Sequence, residues 1–72
     1  MGTIDENNYR QRVGRNIRIL REREGISLRR FAKMIGMDYA HLSNIETGKA
    51  NPTLDILAKI AEGLDQDVRD LF

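Results

Sequence analysis

The chain has 72 residues and contains no cysteine, which allows one small domain and excludes both a disulfide framework and a thiolate metal site. Hydrophobic residues make up 40% and charged residues 32%, the composition of an ordinary folded domain. No apolar run approaches the roughly 20 residues of a membrane span, and no secretory signal pattern opens the chain. We therefore expect a cytoplasmic protein without a membrane partner.

The formal net charge of +1 conceals an uneven distribution of charge along the chain. Residues 1–8 carry two acidic side chains and no basic ones, a net charge of −2. Residues 9–49 carry ten basic against four acidic side chains, +6, and residues 50–72 carry two against five, −3. A basic segment between acidic ends favours a polyanionic partner, although a solvated, arginine-rich helix surface explains these charges equally well.

The first half of the chain has the pattern of two helices. Residues 1–8 lack periodicity, and we expect them to form a flexible tail. From Tyr9 to Leu20, apolar residues recur at helical spacing, and Gly25 is placed to end this first helix. Ser27 is a candidate N-cap for a short second helix, which Gly36 ends.

The second half has the pattern of two further helices and a final turn. Asp38 is a candidate N-cap for a third helix, and Thr53, after the turn at Asn51-Pro52, for a fourth. The apolar stripe of the fourth helix is Leu54, Leu57, Ile60, Ala61 and Leu64. Asp67 opens a short final turn. No segment alternates with a period of two, so we expect an all-α bundle of four or five short helices.

Residues 28–47 have the spacing of a helix-turn-helix, with helices at about 28–35 and 39–47. Ala32 lies where the two helices would cross, and Gly36 lies at the bend, where a positive φ costs little only for glycine. The apolar residues that would face the rest of the bundle are Phe31, Ile35, Met37, Leu42 and Ile45. A plain helical hairpin explains this apolar pattern but not the placement of the alanine and the glycine, so we favour the helix-turn-helix.

These residues resemble the XRE-like family of DNA-binding domains, which includes the lambda-type phage repressors and Cro proteins. The resemblance covers about residues 13–72. It is carried by Arg21, Gly25-Ile26-Ser27, Phe31-Ala32, Gly36, residues 42–49 (LSNIETGK), Asn51-Pro52-Thr53-Leu54 and Ile60-Ala61. It implies a compact five-helix, lambda-repressor-like domain over residues 9–72, in which the second and third helices form the helix-turn-helix.

The resemblance implies that the third helix lies in the major groove of DNA and presents one face to the base edges. The base-contacting residues would be Tyr39, Ala40, Ser43 and Asn44. Asn44 can offer a donor and an acceptor to adenine, and Ala40 can contact a thymine methyl group. The alternative is a solvated helix face on which Tyr39 covers Met37.

Phosphate contacts are expected at both ends of the motif and should supply most of the affinity. The candidates are Ser27, Arg29, Arg30, His41, Lys49 and Asn51. Ser27 and the free amides of the second helix would point at one phosphate, and Lys49 and Asn51 at another. His41, the only histidine, is either a phosphate contact or solvated, and alone it cannot form a metal site.

The resemblance also implies a structural ion pair between Arg21 and Glu46, which would fix the angle at which the third helix docks. The sequence departs from the family at Leu28, where a glutamine often braces a base-contacting residue. Leu28 cannot form that hydrogen bond.

The sequence thus predicts a sequence-specific regulator of transcription that binds double-stranded DNA. We expect a repressor that acts as a homodimer on an inverted repeat, with Ile56 and Leu71-Phe72 at the dimer surface. The alternative is an antitoxin-type or bridging module that uses the same fold to bind a protein partner. Neither an enzyme nor a cofactor is expected, because the sequence has no nucleophile–base pair, metal cluster or glycine-rich phosphate loop.

Overall fold

The computed structural model describes residues 6–72, and their side chains from residue 9 onward. Within that range it has four α-helices and one 3₁₀ helix: α1 (Glu6–Arg23), α2 (Leu28–Ile35), α3 (Tyr39–Glu46), α4 (Leu54–Gly63) and η1 (Val68–Leu71). The all-α fold is confirmed. Helix α1 begins three residues before the predicted start at Tyr9, and residues 1–5 of the predicted tail lie outside the described range. No helix in that range is long and apolar enough to span a membrane.

The expected fifth helix is a single 3₁₀ turn, so the prediction of five helices is wrong for the described residues. Its backbone bonds join the N–H of Asp70 to the carbonyl of Asp67 and the N–H of Phe72 to the carbonyl of Arg69, each across three residues. Asp67 caps the turn by accepting the N–H of Arg69, and the Asp70 carboxylate accepts the N–H of Asp67. The two carboxylates thus accept the backbone N–H groups of Asp67 and Arg69 at the start of the turn. The backbone bonds across three residues are those of a 3₁₀ helix.

The predicted N-caps of α2, α3 and α4 are confirmed. In each, a side-chain oxygen accepts a backbone N–H of the first turn at 3.1 Å. The pairs are Ser27 with Arg30, Asp38 with His41, and Thr53 with Ile56. Gly36 ends α2 with φ at 67°, so the turn between α2 and α3 spans residues 36–38 as predicted. Local side-chain chemistry therefore sets where these helices begin and end.

The core draws on all five elements. Its buried residues are Val13, Ile17, Phe31, Ala32, Ile35, Leu42, Ile45, Leu57, Ile60, Ala61, Leu64 and Leu71. Helix α3 packs on α1 and α2, while α4 packs on α2 and η1. The predicted stripe of α4 is wrong at Leu54, which is 70% exposed. Leu54 is the first residue of α4, and the face of the helix that packs on the core begins one turn later.

Leu71 does not lie on an outer surface, contrary to its expected place in a dimer contact. It is fully buried, because η1 folds back onto α1 and α4. Ile56 is half-buried and packs against the core, whereas Phe72 is 38% exposed and stacks on Tyr9 with ring centroids 5.5 Å apart. Of the residues expected to contact a second copy, only Phe72 therefore exposes much of its side chain.

Gly14 allows α1 to approach the end of α3 closely. A Cβ at this position would overlap the carbonyl oxygen of Ile45 and lie 2.6 Å from that of Glu46. Because both atoms belong to the backbone of α3, no side-chain rotation can make room. A residue without a side chain is required here if α1 is to dock against the helix-turn-helix at this distance.

Candidate nucleic-acid interface

Helix α3 has a buried inner face and an exposed outer face. On the inner face, Leu42 and Ile45 are buried in the core. Three of the predicted base-contacting residues, Tyr39, Ala40 and Asn44, are exposed on the outer face. The structure therefore places these three where a partner can reach them.

Ser43, the fourth predicted base-contacting residue, lies at the edge of this face. It is half-buried and lines a groove of about 250 Å³ between α1 and α3. Arg18, Arg21 and Leu28 line the same groove. Ser43 therefore shares a groove with two arginines that are both already paired, Arg21 with Glu46 and Arg18 with Glu22.

The predicted ion pair between Arg21 and Glu46 is present and buried. Arg21 donates from Nε to Glu46 Oε2 at 2.7 Å and from Nη2 to Oε1 at 3.0 Å, and the two side chains are only 9% and 5% exposed. Arg21 also donates from Nη1 to the carbonyl of Ile26 at 2.7 Å. The hydrogen bonds to Glu46 raise the pKa of Arg21 above its usual value. The bidentate geometry ties α1 to the end of α3 in one orientation.

The start of α2 carries two basic side chains. Arg29 and Arg30 are exposed, and neither forms an ion pair within residues 9–72. The Ser27 hydroxyl accepts the N–H of Arg30, so its oxygen is engaged as a helix cap. Two exposed basic residues and the helix N-terminus give the start of α2 a positive charge that favours an anion.

The second group of predicted phosphate-contacting residues lies in the loop after α3. Lys49 and Asn51 are exposed, and the N–H groups of Lys49 and Ala50 donate to the carbonyl of Asn44 at 2.8 and 3.1 Å. These bonds hold the loop against the end of the helix. His41, on α3 itself, is exposed. The predicted phosphate-contacting residues thus lie at the start of α2, on α3 and in the loop after α3.

Sequence reasoning missed two features of this surface. The guanidinium of Arg29 lies over the ring of Tyr39, with its carbon 4.6 Å from the ring centroid. Arg15 and Arg18 of α1 line a groove of about 310 Å³ together with Thr47. Both features join residues from different helices, so no spacing within one helix predicts them. In the described part of the chain, no cluster of metal-ligating side chains is present.

Comparison with known proteins places this arrangement in a family. The model of the helix-turn-helix family HTH_3 matches residues 17–71. The chain is 36% identical over 61 residues to the HTH-type transcriptional regulator SlrR of Bacillus subtilis, covering 83% of this chain but only 40% of SlrR. It is 37% identical over 67 residues to the control protein C.MunI of Mycoplasma sp, covering 92% of this chain and 90% of that protein.

Solved structures agree with the family match. The restriction-modification controller protein C.AhdI from Aeromonas hydrophila superposes with a TM-score of 0.87 at 31% identity, covering 90% of this chain and 98% of C.AhdI. An HTH_3 family transcriptional regulator from Vibrio cholerae also gives 0.87 at 31% identity, covering 94% of this chain and 38% of that one. The predicted XRE-like resemblance is confirmed, and the chain belongs to the helix-turn-helix family HTH_3 of transcriptional regulators.

Proposed function

We propose that this protein binds double-stranded DNA at a specific sequence and represses transcription from it. The observation that carries this proposal is the division of α3 into a fixed inner face and a free outer face. The inner face is held by buried apolar side chains and by the Arg21–Glu46 pair. The outer face offers an amide, a methyl group and a phenol to a partner. A rigid helix with such a face suits the major groove, where each base pair presents a distinct pattern of groups.

In this proposal, each residue of the outer face has a chemical role. Asn44 donates to and accepts from an adenine edge, and Ala40 contacts a thymine methyl group. Tyr39 donates its hydroxyl to a base or a phosphate. Ser43, at the edge of the face, contacts either a base or the backbone.

Phosphate contacts at both ends of the helix-turn-helix would set the register on the duplex and supply much of the affinity. One phosphate binds at the N-terminus of α2, beside Ser27, Arg29 and Arg30. Another binds Lys49 and Asn51 in the loop after α3. His41 is a further candidate between the two. The absence of ion pairs at Arg29, Arg30 and Lys49 within the described residues supports these roles, because no carboxylate there neutralises their charges.

We further propose that the protein acts as a homodimer on an inverted repeat, with one α3 in each half-site. The dimer surface would use Phe72 rather than the buried Leu71. Leu54 is exposed, and together with Tyr9 it lines a cavity of about 140 Å³. It would add apolar surface to the site where the second copy docks. Sedimentation of the wild-type protein and of Phe72→Ser and Leu54→Ser variants tests this dimer. A wild-type protein that stays monomeric on its operator contradicts it.

The target genes are proposed to belong to a restriction-modification system. Two relatives match this chain over about nine-tenths of both lengths. C.AhdI is a restriction-modification controller protein, and C.MunI is a control protein. The observation that checks this proposal is the gene neighbourhood. Adjacent genes for a DNA methyltransferase and a restriction endonuclease support it, and unrelated neighbours contradict it.

Selection from randomised duplexes tests sequence-specific binding directly. We expect enrichment of an inverted repeat, and an affinity that falls steeply with salt because about 4–6 phosphates per subunit are contacted. Arg69→Gln is a suitable control, because Arg69 lies in η1, which packs on α1 and α4 rather than on α3. This variant should select the same sequence. If the wild-type protein enriches no sequence, the proposal is wrong.

A further inference from the structure

The contact between Arg29 and Tyr39 joins the two helices of the motif across the turn at residues 36–38. Arg29 is the second residue of α2 and Tyr39 the first residue of α3. The guanidinium carbon lies 4.6 Å from the ring centroid, within the range of a cation–π interaction. This contact therefore links a proposed phosphate-contacting residue to a proposed base-contacting residue.

Tyr39 needs such a contact if its hydroxyl is to point in one direction. Tyr39 is 42% exposed and stands at the first position of its helix. An exposed aromatic side chain exchanges between rotamers, and ordering it on binding costs conformational entropy. The guanidinium covers one face of the ring and restricts these rotamers before DNA is bound.

Arg29 is free to bind an anion while it holds the ring. It forms no ion pair with any residue from 9 to 72. A guanidinium stacks through its flat face, which leaves the N–H groups on its edge available to phosphate oxygens. Lysine has no flat face and cannot satisfy both requirements in the same way.

The neighbouring residue Leu28 cannot take this role. It is half-buried and lines the groove between α1 and α3 with Arg21. It also lacks a hydrogen-bonding group. Of the first three residues of α2, only Arg29 has a described cation–π contact with the Tyr39 ring.

We propose that Arg29 is a positioning residue for base recognition, which orients Tyr39 through its guanidinium face while its edge binds phosphate. This inference rests on the proposed DNA-binding function. It predicts that Arg29 influences which base is preferred at the position facing Tyr39. A residue that contacts only phosphate instead weakens binding uniformly across sequences and lowers the salt dependence.

The test compares duplex selection and salt titration for four variants. Arg29→Lys keeps the charge but removes the flat face, and Tyr39→Ala removes the ring. The combined variant closes the cycle. Arg23→Lys is the matched control, since Arg23 is exposed on α1 and has no proposed contact with DNA. Thermal melting of each variant confirms that it is folded.

We expect Arg29→Lys to weaken the preference several-fold at the same base position that Tyr39→Ala affects, with the salt slope unchanged. In the Tyr39→Ala background, Arg29→Lys should then have no further effect on preference. Arg23→Lys should leave the preference intact. In the free protein, Arg29→Lys should also shift the ring proton resonances of Tyr39, because the guanidinium leaves the ring.

Two outcomes would overturn the inference, and they are distinguishable. If the wild-type protein selects a sequence and Arg29→Lys selects it equally well, Arg29 is only a phosphate contact and the proposed function stands. If the wild-type protein selects no sequence, the proposed function fails and the inference fails with it.

Discussion

The two faces of α3 differ in what holds them and in what they can tolerate. Leu42 and Ile45 are almost fully buried, and the Glu46 carboxylate is bonded twice by Arg21. Tyr39 and Asn44, on the same eight-residue helix, are exposed. Changes on the inner side should therefore lower the free energy of unfolding, whereas changes on the outer side should alter DNA binding in a protein that remains folded.

The largest effect is expected at the buried ion pair. Arg21→Met leaves the Glu46 carboxylate buried without its partner and removes the donor to the Ile26 carbonyl. Loss of one partner of a buried pair costs about 3–5 kcal/mol of unfolding free energy. Urea denaturation of Arg21→Met, Glu46→Leu and the double variant measures this loss.

The double variant is the control for that experiment. It should recover much of the lost stability, because neither charge remains and the new side chains are apolar. Losses that simply add between the two single variants would show that the pair is not energetically coupled.

Gly14→Ala is expected to have the next largest effect. The new methyl group meets the backbone carbonyls of Ile45 and Glu46, so α1 must move away from α3. Overpacking of this kind costs about 1–3 kcal/mol, measured as a lower midpoint of urea denaturation. Arg15→Ala is the control. Arg15, the next residue, is exposed, so this variant should change the free energy of unfolding by less than about 0.5 kcal/mol. Equal stability of Gly14→Ala and the wild-type protein would show that the two helices are not tightly docked.

On the outer face, Asn44→Ala should leave the fold intact and relax base preference. The described hydrogen bonds of Asn44 come from its backbone, so its side chain is not required for folding. Loss of a bidentate base contact costs about 1–3 kcal/mol of discrimination at one base pair. Duplex selection with the variant measures this. An unchanged selected sequence would remove Asn44 from the base-contacting face.

The smallest effect is expected from Lys49→Gln, at the end of α3. Lys49 is exposed and is proposed to contact phosphate rather than a base. The variant should bind all sequences more weakly, and the slope of log K against log salt should fall in magnitude by about 1. Binding titrations at several salt concentrations measure the slope. A change in the selected sequence would instead place Lys49 against a base.

The sequence predicted those features that depend on neighbouring residues in the chain. The N-caps at Ser27, Asp38 and Thr53 are bonds between residues three apart, and the turn at Gly36 depends on the φ of one residue. Helical spacing predicted the core residues of α2 and α3 for the same reason. A pattern of a few residues contains the whole of each such interaction.

The errors arose where burial depends on a distant element. Leu54 continues the apolar spacing of α4 but lies one turn before the packed face, so it is exposed. Leu71 was expected on an outer surface, yet η1 folds onto α1 and α4 and buries it completely. Spacing within a helix indicates which residues share a face, but not what covers that face.

By itself, the sequence determined the existence of the four α-helices, the turn of the helix-turn-helix and the exposed residues on the outer face of α3. Only the tertiary structure decided how closely α1 docks at Gly14, and that Arg29 rather than Leu28 contacts Tyr39. These contacts join residues more than nine positions apart, and their existence depends on helix crossing distances and angles. Those distances and angles follow from the packing of the whole core, which no local pattern of residues encodes.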